Sequence, residues 1–157
     1  MERVTELPSY LLIEPEAVLP ELEQRTPFKA VVVLEAVSSI EWQQIVSERL
    51  VTAGCRYVMA WGEECESFHD AVDTASLERH KYDVPAEHFI MTTWHNGETL
   101  ENVFWFAQFC ADFSYDEVEL RKTLILHISR INRKAEYLDL FAQVKTLAER
   151  EEGESSD

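Results

Sequence analysis

Carboxylates, one imidazole and two indoles stand where the predicted strands of this 157-residue chain end and the following helices begin. Glutamate and histidine side chains together can hold a cation or move a proton, because an imidazole titrates near neutral pH and a neighbouring carboxylate can orient it. Tryptophans at the same edge would supply flat apolar anchors. The candidate catalytic residues are Glu35, Glu63 and His95, and the candidate binding residues are Trp61, Glu63, Glu64, Trp94 and His95.

Each of these residues also has a purely structural explanation. Glu63 and Glu64 begin a predicted helix, where carboxylates interact favourably with the helix dipole. Glu35 is also explained as a solvated carboxylate at the end of a strand. His95 is the best candidate, since the polar run around it does not need a histidine in order to turn. His127 lies inside an apolar strand, and we expect it to be a hydrogen-bonded core residue.

The first half of the chain has a clear strand–helix–strand pattern. Residues 28–34 are β-branched and almost continuously apolar, which is typical of a strand buried on both faces. Ser38-Ser-Ile-Glu41 has the spacing of a capping box, and the helix that it begins is expected to end at Gly54. Residues 55–61 resume strand character. A unit of this kind places its two strands in parallel.

Two more strands are predicted, over residues 88–94 and 120–128, and three more helices alternate with the strands. The sequence therefore predicts a three-layer α/β sandwich, Rossmann-like or flavodoxin-like, around a mostly parallel sheet of about four strands. Parallel strands end at the same edge, where ligands of such sheets usually bind. We therefore expect positions 35, 61–64 and 93–96 to be neighbours and to form one pocket or docking face.

The chain is the size of one ordinary domain. The predicted division is an N-terminal arm (1–27), a single α/β domain (28–148) and a disordered acidic tail (149–157), which has no apolar residue to bury.

Acidic residues are concentrated in one part of the chain. The formal net charge is −16, and residues 57–120 contain fourteen of the thirty acidic side chains but only Arg79 and Lys81 of the basic ones. This charge suits a cation or a basic protein partner and repels phosphates, so nucleic-acid binding is not expected. No apolar run is long enough to span a bilayer, and three widely separated cysteines fit reduced thiols. These features predict a soluble, cytoplasmic protein that does not bind membranes.

No sequence motif names a reaction. The chain lacks GxGxxG, GxxxxGK[ST] and GxSxG, so a dinucleotide cradle, a phosphate loop and a serine-nucleophile elbow have no support. Glu63, Cys65, His95 and His127 do not have the close spacing of a zinc site. We therefore predict no cofactor and no metal.

At Thr92-Thr-Trp-His95, followed by Leu100-Glu-Asn-Val-Phe-Trp-Phe-Ala107, the chain resembles a small family of bacterial proteins of unknown function. The resemblance would cover most of the domain. It implies a bacterial, cytoplasmic origin and brings no activity or catalytic residue with it.

Two functions remain open. The first is a non-enzymatic binding module, of an immunity, adaptor or regulatory type, whose acidic edge meets a basic protein and whose tryptophans act as anchors. The second is a small hydrolase-like or metal-assisted enzyme, in which His95 is the base and a carboxylate orients it or holds a cation. A homodimer through the aromatic face around Trp105 is also compatible with the sequence.

Overall fold

The structure is a computed structural model that describes residues 7–22, 27–85, 88–111, 120 and 122–154. In these residues a five-stranded, all-parallel sheet lies between two layers of helices. The predicted α/β class is confirmed, with one strand more than expected. The strands are β1 (Ser9–Ile13), β2 (Phe28–Leu34), β3 (Cys55–Gly62), β4 (Met91–His95) and β5 (Lys122–Ile128), and the helices are α1 (Ile40–Ala53), α2 (Cys65–Arg79), α3 (Leu100–Phe109) and α4 (Lys134–Glu154).

The strand order is β1-β5-β2-β3-β4, so the chain crosses the sheet in one direction as far as β4 and then returns to the position between β1 and β2. From β2 the chain continues through α1 to β3 on one side, and then through α2 to β4. It returns after α3 to β5, which pairs with the other side of β2. The helix that follows β2, α1, covers one face of the sheet, and the helix that follows β5, α4, covers the other. The carboxyl ends of β2 and β5 are therefore the topological switch point, the usual ligand position of such sheets.

The central strand β2 is buried at every position, as its apolar run predicts. Its side chains alternate between two cores because successive residues of a strand point to opposite faces. Ala30 and Val32 pack with α1 and α2. Val31 and Val33 pack with α3 and α4. The two faces of the sheet are therefore covered by different helix pairs.

Strand β1 lies in the segment that the sequence assigns to an N-terminal arm. Its backbone pairs in parallel with β5, from Ser9 opposite Leu124 to Ile13 opposite Ile128. This part of the arm thus belongs to the sheet. At the other end of the chain, α4 continues through Glu154, into the segment for which a disordered tail is predicted, and residues 155–157 lie outside the described residues.

The segment after β1 also supplies part of the cap of α1. The N-cap residue is Ser39, one position later than the predicted capping box would place it, and its hydroxyl accepts a hydrogen bond from Trp42 N. The reciprocal carboxylate is not Glu41. Glu16 takes that role, accepting from both the backbone N–H and the hydroxyl of Ser39. The indole of Trp42 also donates to Ala17 O at 2.8 Å.

Gly62 aligns the ends of β2 and β3. It has a φ of +105°, and a Cβ at this position would lie 2.2 Å from the carbonyl oxygen of Leu34. The next residue, Glu63, donates its backbone N–H to the same oxygen at 2.8 Å. The turn after β3 is therefore held directly against the end of β2, next to Glu35.

We predict that Gly62→Ala lowers the free energy of unfolding by roughly 2 to 5 kcal/mol, because it combines a left-handed backbone with overpacking against Leu34. Gly54→Ala is the matched control: its φ is +96°, but the added Cβ meets nothing within 4 Å. Gly54→Ala should lower the free energy of unfolding by only about 1 to 2 kcal/mol, the cost of a left-handed backbone at alanine. Urea unfolding measures the free energy of unfolding of both variants. Equal losses would show that the close approach of Gly62 to Leu34 does not limit the residue at this position.

Candidate functional site

A hydrogen-bonded cluster lies at the topological switch point. Glu35 follows β2 directly, and its backbone N–H donates to Ile128 O, at the end of β5, at 3.1 Å. One residue earlier on β5, the side chain of His127 points to the face that α4 covers. Tyr137 of α4 and Tyr10 of β1 complete the cluster, with their rings 4.8 Å and 5.7 Å from the imidazole of His127. Residues far apart in the chain thus meet at one place.

The two carboxylate oxygens of Glu35 have different surroundings. Oε1 accepts a hydrogen bond from Nε2 of His127 at 2.5 Å and another from the hydroxyl of Tyr137. Oε2 lies 3.7 Å from Nε of Arg133, which makes an ion pair but not a hydrogen bond. One oxygen is therefore saturated by the protein and the other is not.

The direction of the hydrogen bonds assigns the proton of His127. The hydroxyl oxygen of Tyr10 accepts the backbone N–H of Arg133 at 3.1 Å, and the same oxygen lies 2.6 Å from Nδ1 of His127. The ionised carboxylate of Glu35 can only accept, so Nε2 carries the hydrogen. Burial favours the neutral ring, in which Nδ1 is an acceptor and the Tyr10 hydroxyl donates to it. The imidazole is neutral, and it donates from Nε2 to the Glu35 carboxylate.

The pKa shifts agree with this assignment. Burial lowers the pKa of His127 below its usual 6.5, although Glu35 acts in the opposite direction. Burial by itself raises the pKa of Glu35, but the hydrogen bonds from Tyr137 and His127 and the charge of Arg133 outweigh it and hold the pKa below 4.5. The pKa of Tyr137 is raised, first by burial and then by Glu35. Near neutral pH the cluster therefore holds one carboxylate, with neutral imidazole and phenol groups around it.

Only part of the cluster reaches solvent. The side chain of His127 is 0% exposed and that of Glu35 is 21% exposed, while Tyr137 is buried. A ligand at this edge would meet the carboxylate of Glu35 and the half-exposed guanidinium of Arg133. It would not meet the imidazole.

His95, the other predicted site histidine, forms a second imidazole–carboxylate pair. Its Nδ1 lies 2.8 Å from Oε2 of Glu98, and its Nε2 lies 2.9 Å from Oγ1 of Thr93. Trp61 is next to this pair, and its indole donates to the carbonyl oxygen of Glu98 at 2.8 Å. His95 is buried and lies two strands away from Glu35, about 10 Å by strand spacing. The two pairs are therefore separate.

The two predicted tryptophan anchors lie on opposite faces of the sheet. Trp61 packs into the core under α3 and α4. Trp94 is 45% exposed and contacts the ring of His69 on α2 edge-on at 4.6 Å. Trp61 lies on the same face of the sheet as His95, and Trp94 and His95 are consecutive strand residues that point to opposite faces. The two tryptophans therefore do not line one pocket.

Glu63 and Glu64 are both exposed in the turn between β3 and α2. Glu64 is the N-cap residue of α2 with a left-handed φ of 56°, and its side chain makes no capping hydrogen bond. Its Oε2 lies 3.4 Å from Nε2 of Gln43, a long hydrogen bond from α1. The two glutamates thus lie beside the end of β2, as the parallel register requires, but they do not contact the His127 cluster through a described hydrogen bond.

We call the edge at which the five strands end the carboxyl edge. It consists of residues 14–16, 35–39, 62–64, 96–99 and 129–133. It is acidic, with six glutamates against two arginines: Glu14, Glu16, Glu35, Glu63, Glu64 and Glu98 against Arg130 and Arg133. It also exposes apolar side chains around the switch point, where Val37, Ile131 and the adjoining Ile40 are 62%, 60% and 71% exposed.

A groove of about 330 Å³ lies elsewhere, between the C-terminal halves of α1 and α2. Helices that connect parallel strands run antiparallel to them, so this groove is at the opposite edge from Glu35. Within the described ranges, no group of three or more His, Cys, Asp or Glu side chains is arranged to hold a metal ion. The helices of the described part of the chain include none that is long and apolar enough to cross a membrane.

Residues 8–144 match the family model of a domain of unknown function (DUF7684). The chain belongs to this family. The matched region begins before β1, which agrees with the inclusion of that strand in the sheet. Neither the curated proteins nor the solved structures contain a significant match.

The sequence pattern identified Glu35 but not its partners. His127 is hydrogen-bonded and buried as predicted, yet its contact with Glu35 depends on β5 lying beside β2. Tyr10 lies in the segment that the sequence assigns to an N-terminal arm, and no local motif marks Tyr137 or Arg133. The available signal was a histidine directly before the last residue of a buried strand, a position that becomes informative once the strand order is known.

We predict that acid destabilises this domain in two steps. The folded pKa of His127 is lowered below 6.5, so the unfolded chain binds the proton first and stability falls as the pH drops below about 6.5. The folded pKa of Glu35 is lowered below 4.5, so a further loss begins below about pH 4.5. Urea unfolding at pH 7.5 and 5.5 should show a smaller loss for His127→Gln than for the native chain. Identical pH dependence in the two proteins would contradict the neutral assignment of His127.

We predict that Tyr10→Phe lowers the free energy of unfolding by about 1 to 3 kcal/mol, because it leaves Nδ1 of the fully buried His127 without its donor. Tyr82→Phe is the control, since Tyr82 is 74% exposed, and it should stay within about 0.5 kcal/mol of the native value. Nitrogen chemical shifts of His127 should show the Nε2–H tautomer in the native chain. A protonated Nδ1 at pH 7.5 would rule out the hydrogen-bond direction assigned here.

Proposed function

We propose that this DUF7684 domain is a non-enzymatic binding module that recognises a basic segment of a partner protein through the carboxyl edge around Glu35. The observation that carries the proposal is the state of Glu35, which is ionised, partly open to solvent and held in place by His127 and Tyr137 at the topological switch point. A fixed carboxylate at the usual ligand position of such a sheet suits a cationic group.

The charge around Glu35 supports a basic partner. The carboxyl edge carries more glutamates than arginines, and the helices that begin there add Glu41, Glu66, Glu101 and Glu136 in their first turns. A potential of one sign accelerates the encounter with an oppositely charged surface and disfavours acidic partners.

Exposed aliphatic side chains support a protein partner over a small inorganic cation. Val37, Ile40 and Ile131 flank the end of β2 and are each more than half exposed. Burying them against apolar side chains of a partner would contribute affinity that a bare cation cannot provide. This centre differs from the one that the sequence suggested, because Trp94 faces α2 on the other side of the sheet.

The enzyme alternative has less support. It needs an imidazole that can take a proton from a substrate, but both ring nitrogens of His127 and both of His95 lie within hydrogen-bond distance of protein groups, and both side chains are buried. A general base must come within hydrogen-bond reach of the substrate proton. Glu35 is partly exposed, and its lowered pKa makes it a weak base.

A cytoplasmic location belongs to the same proposal. Cys55, Cys65 and Cys110 are free thiols, and burial raises the pKa of Cys55 to about 12, so that thiol stays protonated and unreactive. Free, unpaired thiols fit a reducing compartment.

We predict that selection from a displayed random-peptide library enriches sequences that combine Arg or Lys with aliphatic residues. The double variant Glu35→Gln/Glu63→Gln should bind an enriched peptide more weakly than the native chain by about 1 to 2 kcal/mol. The control Glu48→Gln/Glu78→Gln removes the same charge from the opposite edge and should have a smaller effect. Fluorescence anisotropy at 50 and 300 mM salt measures the affinities. Equal losses in the two double variants, or enrichment of acidic peptides, would refute the proposal.

A further inference from the structure

We infer that Oε2 of Glu35 receives a cationic side chain of the partner, and that the guanidinium of Arg133 is an internal cation which this side chain displaces. The inference rests on the proposed binding function and specifies how one contact of that function is made. It makes Glu35 the specificity-determining residue and Arg133 its internal competitor.

The first support is the asymmetry of the Glu35 carboxylate. Oε1 is saturated by the hydroxyl of Tyr137 and by Nε2 of His127. Oε2 has a cation at 3.7 Å, well beyond the roughly 2.7 to 2.9 Å of a charge-assisted hydrogen bond. A carboxylate offers about four acceptor positions, so Oε2 has acceptor capacity left for an ammonium or guanidinium group.

The second support is that Arg133 is held loosely and has a second partner. Its Nε lies 3.7 Å from Glu35, and its Nη1 lies 3.7 Å from Oε2 of Glu136. The side chain is 38% exposed, and exposed ion pairs of this length contribute little free energy. A guanidinium that leaves Glu35 keeps its ion pair with Glu136, so the displacement leaves no charge unpaired.

The third support is that the backbone of Arg133 is fixed while its side chain is not. The backbone N–H donates to the hydroxyl of Tyr10, which belongs to the buried hydrogen-bond chain. Movement of the guanidinium therefore does not require the β5–α4 loop to open. The Glu35 carboxylate also stays in place, because His127 and Tyr137 hold its other oxygen.

Exchange of one cation for another gives selectivity. A segment without a cation that covered Glu35 would either bury a charged pair or leave the carboxylate unpaired, and both are unfavourable. A segment with a suitably placed Arg or Lys replaces Arg133 and keeps Glu35 paired. Glu35 thus penalises neutral partners at this position, and Arg133 competes with cationic ones.

The test uses the full chain and two isosteric probes, Nα-acetyl-arginine methylamide and Nα-acetyl-citrulline methylamide, with side-chain resonances of Tyr10, His127 and Tyr137 followed by NMR. The lysine analogue distinguishes an ammonium from a guanidinium. We expect the cationic probes to shift these resonances in a saturable way and citrulline not to. Equal shifts with citrulline would overturn the inference.

Arg133→Gln should increase the affinity for the arginine probe about two- to fivefold, the range expected for loss of one exposed ion-pair competitor. Arg130→Gln is the matched control, because it removes the same charge from the same loop, and it should have a smaller effect. In a Glu35→Gln background the gain from Arg133→Gln should disappear. An equal gain in both arginine variants, or a gain that persists without the Glu35 charge, would contradict the displacement.

A second measurement keeps Glu35 intact in case Glu35→Gln does not fold. Glu136→Gln removes the alternative partner of Arg133 and should weaken binding of the arginine probe more than Asp139→Asn, an exposed charge removal on the same helix. Equal weakening in the two variants would count against the displacement.

If library peptides bind the carboxyl edge while these variants show no coupling, the displacement is wrong and the binding function stands. If no peptide binding depends on the carboxyl edge, the binding function itself fails.

Discussion

The hydrogen bond between the neutral imidazole of His127 and the carboxylate of Glu35 is the interaction on which the carboxyl edge depends. Buried polar groups must be hydrogen-bonded, and a chain of such bonds in a low dielectric tolerates few gaps. Tyr10 and Tyr137 satisfy the remaining positions from β1 and α4. The cluster therefore joins the edge strand, the two strands of the switch point and the last helix, and it fixes one carboxylate in an ionised state.

The glutamates of the carboxyl edge act in two ways. Close to the switch point, short hydrogen bonds hold Glu35 in one geometry. Further along the carboxyl edge, Glu63, Glu64 and Glu98 are exposed and act through the field that they share. The parallel register makes both possible, since it brings every strand end to one side, and Gly62 lets the β3 turn approach Leu34 closely enough to keep the ends level. A rigid acceptor within a wide acidic surface suits recognition of a basic partner.

The predictions succeeded where a pattern is local. The apolar run of β2, the helix that ends at Gly54 and the second strand can each be identified from a few adjacent residues. The predictions failed where the answer depends on distant partners. The short strand β1 is flanked by prolines and is stabilised by pairing with β5, more than a hundred residues away. Glu16 replaced Glu41 at the cap of α1 for the same reason, and Trp61 and Trp94 were grouped although the period of a strand places them on opposite faces.

The amino-acid sequence by itself determined the α/β class, the parallel direction of the strands and the acidic character of the edge at which they end, because periodicity and charge are properties of neighbouring residues. Only the tertiary structure decided that β5 lies beside β2, and hence that Glu35 meets His127, Tyr10, Tyr137 and Arg133. Strand order depends on how separate elements bury their faces against each other, and no local pattern encodes it.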